Sequence, residues 1–235
     1  MMKLLFALTS VIILGASISC GGGDSNAPDP TATAEPPNPV LLVHGWAGNA
    51  GQMETMRSYL EQQGLASFTI QLPGNDNIEN AQAIADKVAE MKTQTGASKV
   101  DLVGYSMGGL STRYYIKRLA GAANVGTYVS FGSPHYGGDI SSVLEESNGG
   151  QMCPGSPYLI DLNEGDDTPG DIPYTTIWSD QEIPASAGGL DGGACFVNIP
   201  GVGHADEPAS PAIIDAVLAA LQGTCPGEER TNAIQ

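Results

Sequence analysis

The chain has 235 residues, enough to bury the core of one domain, and 41% of them are hydrophobic, which excludes a wholly disordered chain. Acidic residues outnumber basic ones 26 to 9, giving a formal net charge of −17. Binding phosphate backbones needs clustered Lys and Arg, so no nucleic-acid partner is expected.

Met1-Met2-Lys3 is a short basic start, and Leu4 to Leu14 is an apolar run too short to cross a membrane, followed by small residues. This is the pattern of a secretory signal peptide over residues 1–19. Cys20 sits at the expected cut, followed by Gly21-Gly22-Gly23-Asp24, as at the start of a bacterial lipoprotein. A lipid on Cys20 would then anchor the chain to a membrane, the outer one by resemblance to lipoproteins with Gly rather than Asp after the Cys. Ordinary cleavage after Ser19 is the alternative.

Residues 20–38 are rich in Gly, Pro, Ala and Thr and read as a flexible tether with a mean reach of roughly 20–30 Å. The catalytic domain is expected over 39–223 and a disordered tail over 224–235.

From Pro39, strands and helices alternate. Pro39 to His44 is a buried strand, Met53 to Gln63 a helix closed by Gly64, and Ser67 to Leu72 an alternating strand. A helix over Ala81 to Thr95 puts Ile84, Val88 and Met91 on one face and ends at Gly96. A buried strand over Lys99 to Gly104 runs into a helix from Met107 to Leu119. Strands follow at Val125 to Phe131, Tyr174 to Trp178 and Phe196 to Ile199. The last helix starts at Ser210-Pro211 and carries Ile213, Ile214, Val217, Leu218 and Leu221 as its apolar face. This alternation predicts an α/β fold with a mainly parallel central sheet and helices on both faces. Gly132 to Asp171 interrupts it with a long Gly-, Pro- and acid-rich excursion, of the kind that is usually functional or disordered.

The pentapeptide Gly104-Tyr105-Ser106-Met107-Gly108 fits G-x-S-x-G, between a buried strand and an amphipathic helix. A sharp strand-to-helix turn would lift Ser106 clear of the sheet and place it at a helix N-terminus, where developing negative charge is favoured. A side chain at Gly104 or Gly108 is expected to clash across that turn. Acyl transfer also needs two N–H donors for the oxyanion. Met107, after the nucleophile, supplies one. Trp46, in the loop His44-Gly45-Trp46-Ala47-Gly48 after the first strand, supplies the other through its backbone, and its indole is expected to wall the acyl pocket. The His44 side chain is read as structural.

In this arrangement the triad runs Ser, acid, His along the chain. His204, in Gly201-Val202-Gly203-His204 after the last strand, fits as the base; His135 comes too early. The acid is expected just past Trp178, where Asp180 and Glu182 compete, with Asp191 and Asp206 more remote. Aspartate is the commoner triad acid, which favours Asp180, but its reach from the strand end is short.

These motifs resemble the small bacterial triacylglycerol lipases of the α/β-hydrolase superfamily. The likeness is carried by Pro39–Gly45 (PVLLVHG), Lys99–Gly109 (KVDLVGYSMGG), Tyr114–Lys117 (YYIK), Tyr174–Ser179 (YTTIWS), Leu190–Gly192 (LDG) and Gly201–His204 (GVGH). The resemblance implies the α/β-hydrolase fold in a compact form, cleavage of acyl esters, and roles for Ser106, His204, Trp46 and Met107 as above. That family has Ser, two residues, then Asp in the acid loop. Counting from Ser179 lands on Glu182, which is preferred, with Asp180 still open.

Other readings stay in view: a thioesterase, acyltransferase or amidase, and a non-catalytic cell-surface lipoprotein on a hydrolase scaffold. No cofactor is required. The acidic run Asp161, Glu164, Asp166, Asp167 and Asp171 offers oxygens for a structural calcium but reads first as a solvated loop. A lipid or acyl ester is the expected partner, and a monomer the expected state. An exported chain should form a disulfide. Cys153 and Cys195, both in segments leading to or from the acid loop, are the expected pair, leaving Cys225 free.

Overall fold

A computed structural model describes residues 36–138, 148–179 and 190–231. The elements run β1 (Val40–Val43), α1 (Glu54–Gln62), β2 (Ser67–Ile70), α2 (Asn77–Thr95), β3 (Val100–Tyr105), α3 (Met107–Arg118), β4 (Val125–Phe131), α4 (Pro157–Leu162), β5 (Tyr174–Trp178), β6 (Ala194–Asn198), α5 (Pro211–Leu221) and β7 (Glu228–Arg230). They build one seven-stranded sheet in the order β2-β1-β3-β4-β5-β6-β7. Every pairing is parallel except β6 with β7.

Strand alternation divides the core into two layers. On β1, Leu41 and Val43 face one side and Val40 and Leu42 the other; on β3, Val100 and Leu102 oppose Val103 and Tyr105. The first layer packs against Ile84, Val88 and Met91 of α2 and Leu110 of α3, the second against Met56 and Leu60 of α1 and Ile213 and Val217 of α5. Helices therefore cover both faces, as the βα alternation predicts.

Three elements depart from the sequence reading. Helix α2 starts at Asn77, not Ala81. Asp76 caps it by accepting hydrogen bonds from the amides of Ile78 and Glu79 at 2.8 and 3.0 Å. Its first turn hides the apolar period because Asn77 and Asn80 are buried by hydrogen bonding: Asn77 donates to Gln151 Oε1 at 3.0 Å and accepts from Ser111 at 2.7 Å.

The excursion after β4 contains α4, opened by Ser156, whose hydroxyl accepts from the Leu159 amide at 3.2 Å. This segment is fastened to α3 by buried charge. Asp167 accepts from Lys117 at 2.9 Å and from the Tyr136 hydroxyl at 2.7 Å, and lies 3.6 Å from Arg113. Arg113 also donates to Asn163, and Tyr158 donates to the Leu110 carbonyl at 3.1 Å. Of the other acids in this run, Asp161 and Glu164 lie beside Arg118, Asp166 caps Thr168, and Asp171 is exposed.

The tail read as disordered instead returns to the sheet: β7 pairs antiparallel with β6, Ala194 opposite Arg230. The disulfide also differs from the expected Cys153–Cys195 pair. Cys195 on β6 is bonded to Cys225, with Cα atoms 5.5 Å apart, and Cys153 is the free thiol. The chain leaving α5 runs back beside β6 and brings Cys225 to Cys195, whereas Cys153 lies in the excursion next to Pro154.

Candidate active site

Because β1 and β3 to β6 run parallel, their carboxyl ends gather on one edge of the sheet, where sites form in such folds. The segments leaving these ends carry the residues singled out by the sequence.

Ser106 sits between β3 and α3 with φ 53° and ψ −124°, a strained conformation for a residue with a side chain. Close packing maintains it. A Cβ on Gly104 would lie 2.5 Å from Gly109 Cα, across the turn as expected. A Cβ on Gly108 would instead meet the carbonyl oxygens of Val43 and His44 at 2.5 Å, so this glycine lets α3 approach the end of β1.

The Ser106 Oγ is 3.1 Å from His204 Nε2, hydrogen-bond distance between residues 98 positions apart. His204 opens a 3-10 helix, His204–Ala209, that follows β6. Among the described residues, Tyr105 and Ser179 help to hold it. The Tyr105 hydroxyl donates to the His204 carbonyl at 2.8 Å, with the two rings 5.0 Å apart. The Ser179 hydroxyl at the end of β5 donates to the Val202 carbonyl at 2.6 Å and accepts from its amide at 3.2 Å, fixing the loop that leads into the histidine.

The loop after β1 lies against Ser106: a Cβ on Gly45 would be 2.9 Å from Ser106 Cβ. The Ala47 amide is committed to Asn75 Oδ1 at 3.0 Å and the Gly48 amide to the Gly45 carbonyl at 3.2 Å. Among the described residues, Trp46 N–H has no such acceptor, and Met107, first residue of α3, has none within its helix. The Trp46 side chain is exposed.

The other histidines have structural places. His44 is buried; its Nε2 accepts from the Leu72 amide at 3.1 Å, so Nδ1 carries the proton and donates to the Gly45 carbonyl at 2.9 Å. Burial lowers its pKa. His135 is fully buried, 2.9 Å from the Ser130 hydroxyl through Nε2, and burial pushes its pKa well below the ordinary histidine value.

Asp180 and Glu182 both lie outside the described residues. Asp206 and Asp191 are exposed. One carboxylate that the sequence reading passed over is in contact with His204: Glu207 Oε2 lies 3.0 Å from His204 Nδ1, and the Glu207 side chain is completely buried. The signal was the spacing, since residues three apart on a helical turn share a face.

A family model described as palmitoyl protein thioesterase matches residues 39–181. The chain is 28% identical over 120 residues to a triacylglycerol lipase of Pseudarthrobacter phenanthrenivorans, covering 46% of this chain and 36% of the relative. The same identity and length hold for a triacylglycerol lipase of Burkholderia plantarii, covering 46% and 32%. The chain thus spans about a third of the length of these curated relatives. Among solved structures, Aspergillus fumigatus lipase B matches with a TM-score of 0.65 at 18% identity, over 82% of this chain and 54% of that one. A Bacillus licheniformis lipase in its propeptide form matches with a TM-score of 0.67 at 17% identity, over 88% and 54%. At such identities the structural likeness establishes the fold, and the family match carries the assignment. The chain belongs to the palmitoyl protein thioesterase family and has the α/β-hydrolase fold.

Proposed function

We propose that this chain is an exported carboxylester hydrolase that cleaves acyl esters through an acyl-enzyme on Ser106. The observation that carries the reading is the 3.1 Å contact between Ser106 Oγ, held on its strained elbow, and His204 Nε2.

Ser106 Oγ attacks the ester carbonyl carbon as His204 Nε2 takes its proton. The carbonyl π electrons move to oxygen, where the amides of Trp46 and Met107 stabilise the oxyanion. The tetrahedral intermediate collapses, the alcohol leaves with the proton from Nε2, and the acyl group remains on Ser106. Water then attacks under the same base, releasing the carboxylic acid and restoring Ser106. Glu182 is the preferred loop acid, with Asp180 as the alternative.

The family match favours a second reading, in which a thioester is the natural substrate. The chemistry is the same, with a thiolate leaving group. Comparing kcat/KM on chromogenic esters with palmitoyl thioesters of matched chain length separates the two.

A Ser106→Ala variant should lose acyl ester hydrolysis by on the order of 10⁴-fold or more and resist labelling by a fluorophosphonate. Near wild-type hydrolysis in that variant would overturn the mechanism. A non-catalytic cell-surface lipoprotein would show no Ser106-dependent turnover on any acyl substrate.

Export, with lipid on Cys20 anchoring the protein to a membrane, is part of the same reading. The signal-like start and the Cys195–Cys225 disulfide, which suits an oxidising compartment, both support it. A Cys20→Ser variant should leave the membrane fraction; unchanged fractionation would sink the anchor.

A further inference from the structure

We propose that Glu207 is a positioning residue for His204, whose carboxylate orients the imidazole and stabilises its protonated form. The inference rests on the reading of Ser106 and His204 as nucleophile and base.

Two independent observations carry it. Glu207 is completely buried, yet it is a carboxylate 3.0 Å from His204 Nδ1, the nitrogen opposite the one facing Ser106. At that distance in a buried setting, the carboxylate stabilises the imidazolium formed during catalysis.

The second observation is the space the pair occupies. Gly132, at the end of β4, has φ 57°, and a Cβ there would lie 2.1 Å from Glu207 Oε2 and 2.8 Å from His204 Cε1. A glycine at the strand end thus vacates the volume in which carboxylate and imidazole meet. A carboxylate that only filled a surface turn would need no such vacancy.

Among the described residues, Tyr105 faces the ring from β3 and Ser106 from the elbow, while Ser179 at the end of β5 holds the backbone of Val202. Asp206, on the same turn, is exposed. Of the helices packed on this turn, α1 carries Glu54, Arg57 and Glu61, which pair with one another, and α5 carries Asp215, which accepts from Tyr59. Asp180 and Glu182 belong to the loop beyond Ser179.

The role has a kinetic signature that loss of packing would not produce. In the acid limb of the kcat/KM profile, activity rises as the free histidine loses its proton. A carboxylate beside the ring favours the charged form, so its removal moves that limb to lower pH. It also withdraws stabilisation from the transition state, so the plateau falls.

The test is the isosteric Glu207→Gln variant, assayed on a chromogenic ester from pH 4 to 9 beside wild type. The expected result is a plateau about tenfold or more lower, with the acid limb displaced downward by about one pH unit. Glu207→Asp, which keeps the charge, should restore the position of the limb. An unchanged plateau and limb, in protein still labelled at Ser106 by fluorophosphonate, would overturn the role of Glu207 and leave the nucleophile assignment standing. A lowered plateau with the limb unmoved would also overturn it. Failure of the hydrolase reading is separate, and appears as activity that survives Ser106→Ala. If Gln at 207 prevents folding, wild type decides: the Glu207 side-chain carboxyl 13C resonance should shift with the midpoint of the His204 ring titration. A Glu207 signal indifferent to that midpoint would refute the pairing.

Discussion

Tyr105, the residue before Ser106, holds the backbone of His204: its hydroxyl donates to the His204 carbonyl at 2.8 Å. Its ring also stacks 5.2 Å from Phe131 in the core, so the sheet interior and the histidine loop are linked through one side chain. Two residues 99 positions apart are thereby placed together.

Removing that hydroxyl should loosen the base without emptying the core. Tyr105→Phe keeps the ring packing and deletes one buried hydrogen bond, worth about 0.5–1.5 kcal/mol. The expected outcome is a kcat a few-fold to about tenfold lower, with KM little changed, because the effect falls on alignment for proton transfer. An unaltered kcat in steady-state kinetics would show that the loop is held by its other contacts.

The loop acid is settled by paired amide substitutions. Glu182→Gln should lower kcat by about 100-fold or more, because His204 loses its orienting charge, while Asp180→Asn should change it little. The reverse pattern would assign the role to Asp180. Two mild effects, together with a large one for Glu207→Gln, would make the buried carboxylate the principal acid.

The disulfide closes a 30-residue separation between β6 and the segment beyond α5, and it staples the approach to the edge strand β7. Chain-entropy arguments give such a crosslink about 3–4 kcal/mol. Cys225→Ser should therefore lower the melting temperature markedly, and reductant should do the same to wild type but not to the variant. Peptide mapping without reduction should recover Cys195 joined to Cys225. A linked peptide containing Cys153 would contradict this pairing.

The sequence by itself determined what depends on short stretches of chain. The apolar runs at Val40–Val43 and Val100–Tyr105, and the glycines around Ser106, dictate strands and an elbow because their constraints are local and steric. The order along the chain singled out the histidine that lies 3.1 Å from Ser106. Tertiary structure decided the rest. Helix α2 begins at Asn77 because a buried amide network with Gln151 and Ser111 outweighs the missing apolar period. Strand β7, composed of Glu228, Glu229 and Arg230, has no β-like composition of its own and exists through its pairing with β6. Cys225 meets Cys195 because α5 turns the chain back along the sheet. Glu207 touches His204 because a glycine on a distant strand leaves room for both. Such contacts join residues far apart in sequence, and a single sequence carries no local energetic mark of which distant group will occupy a buried space.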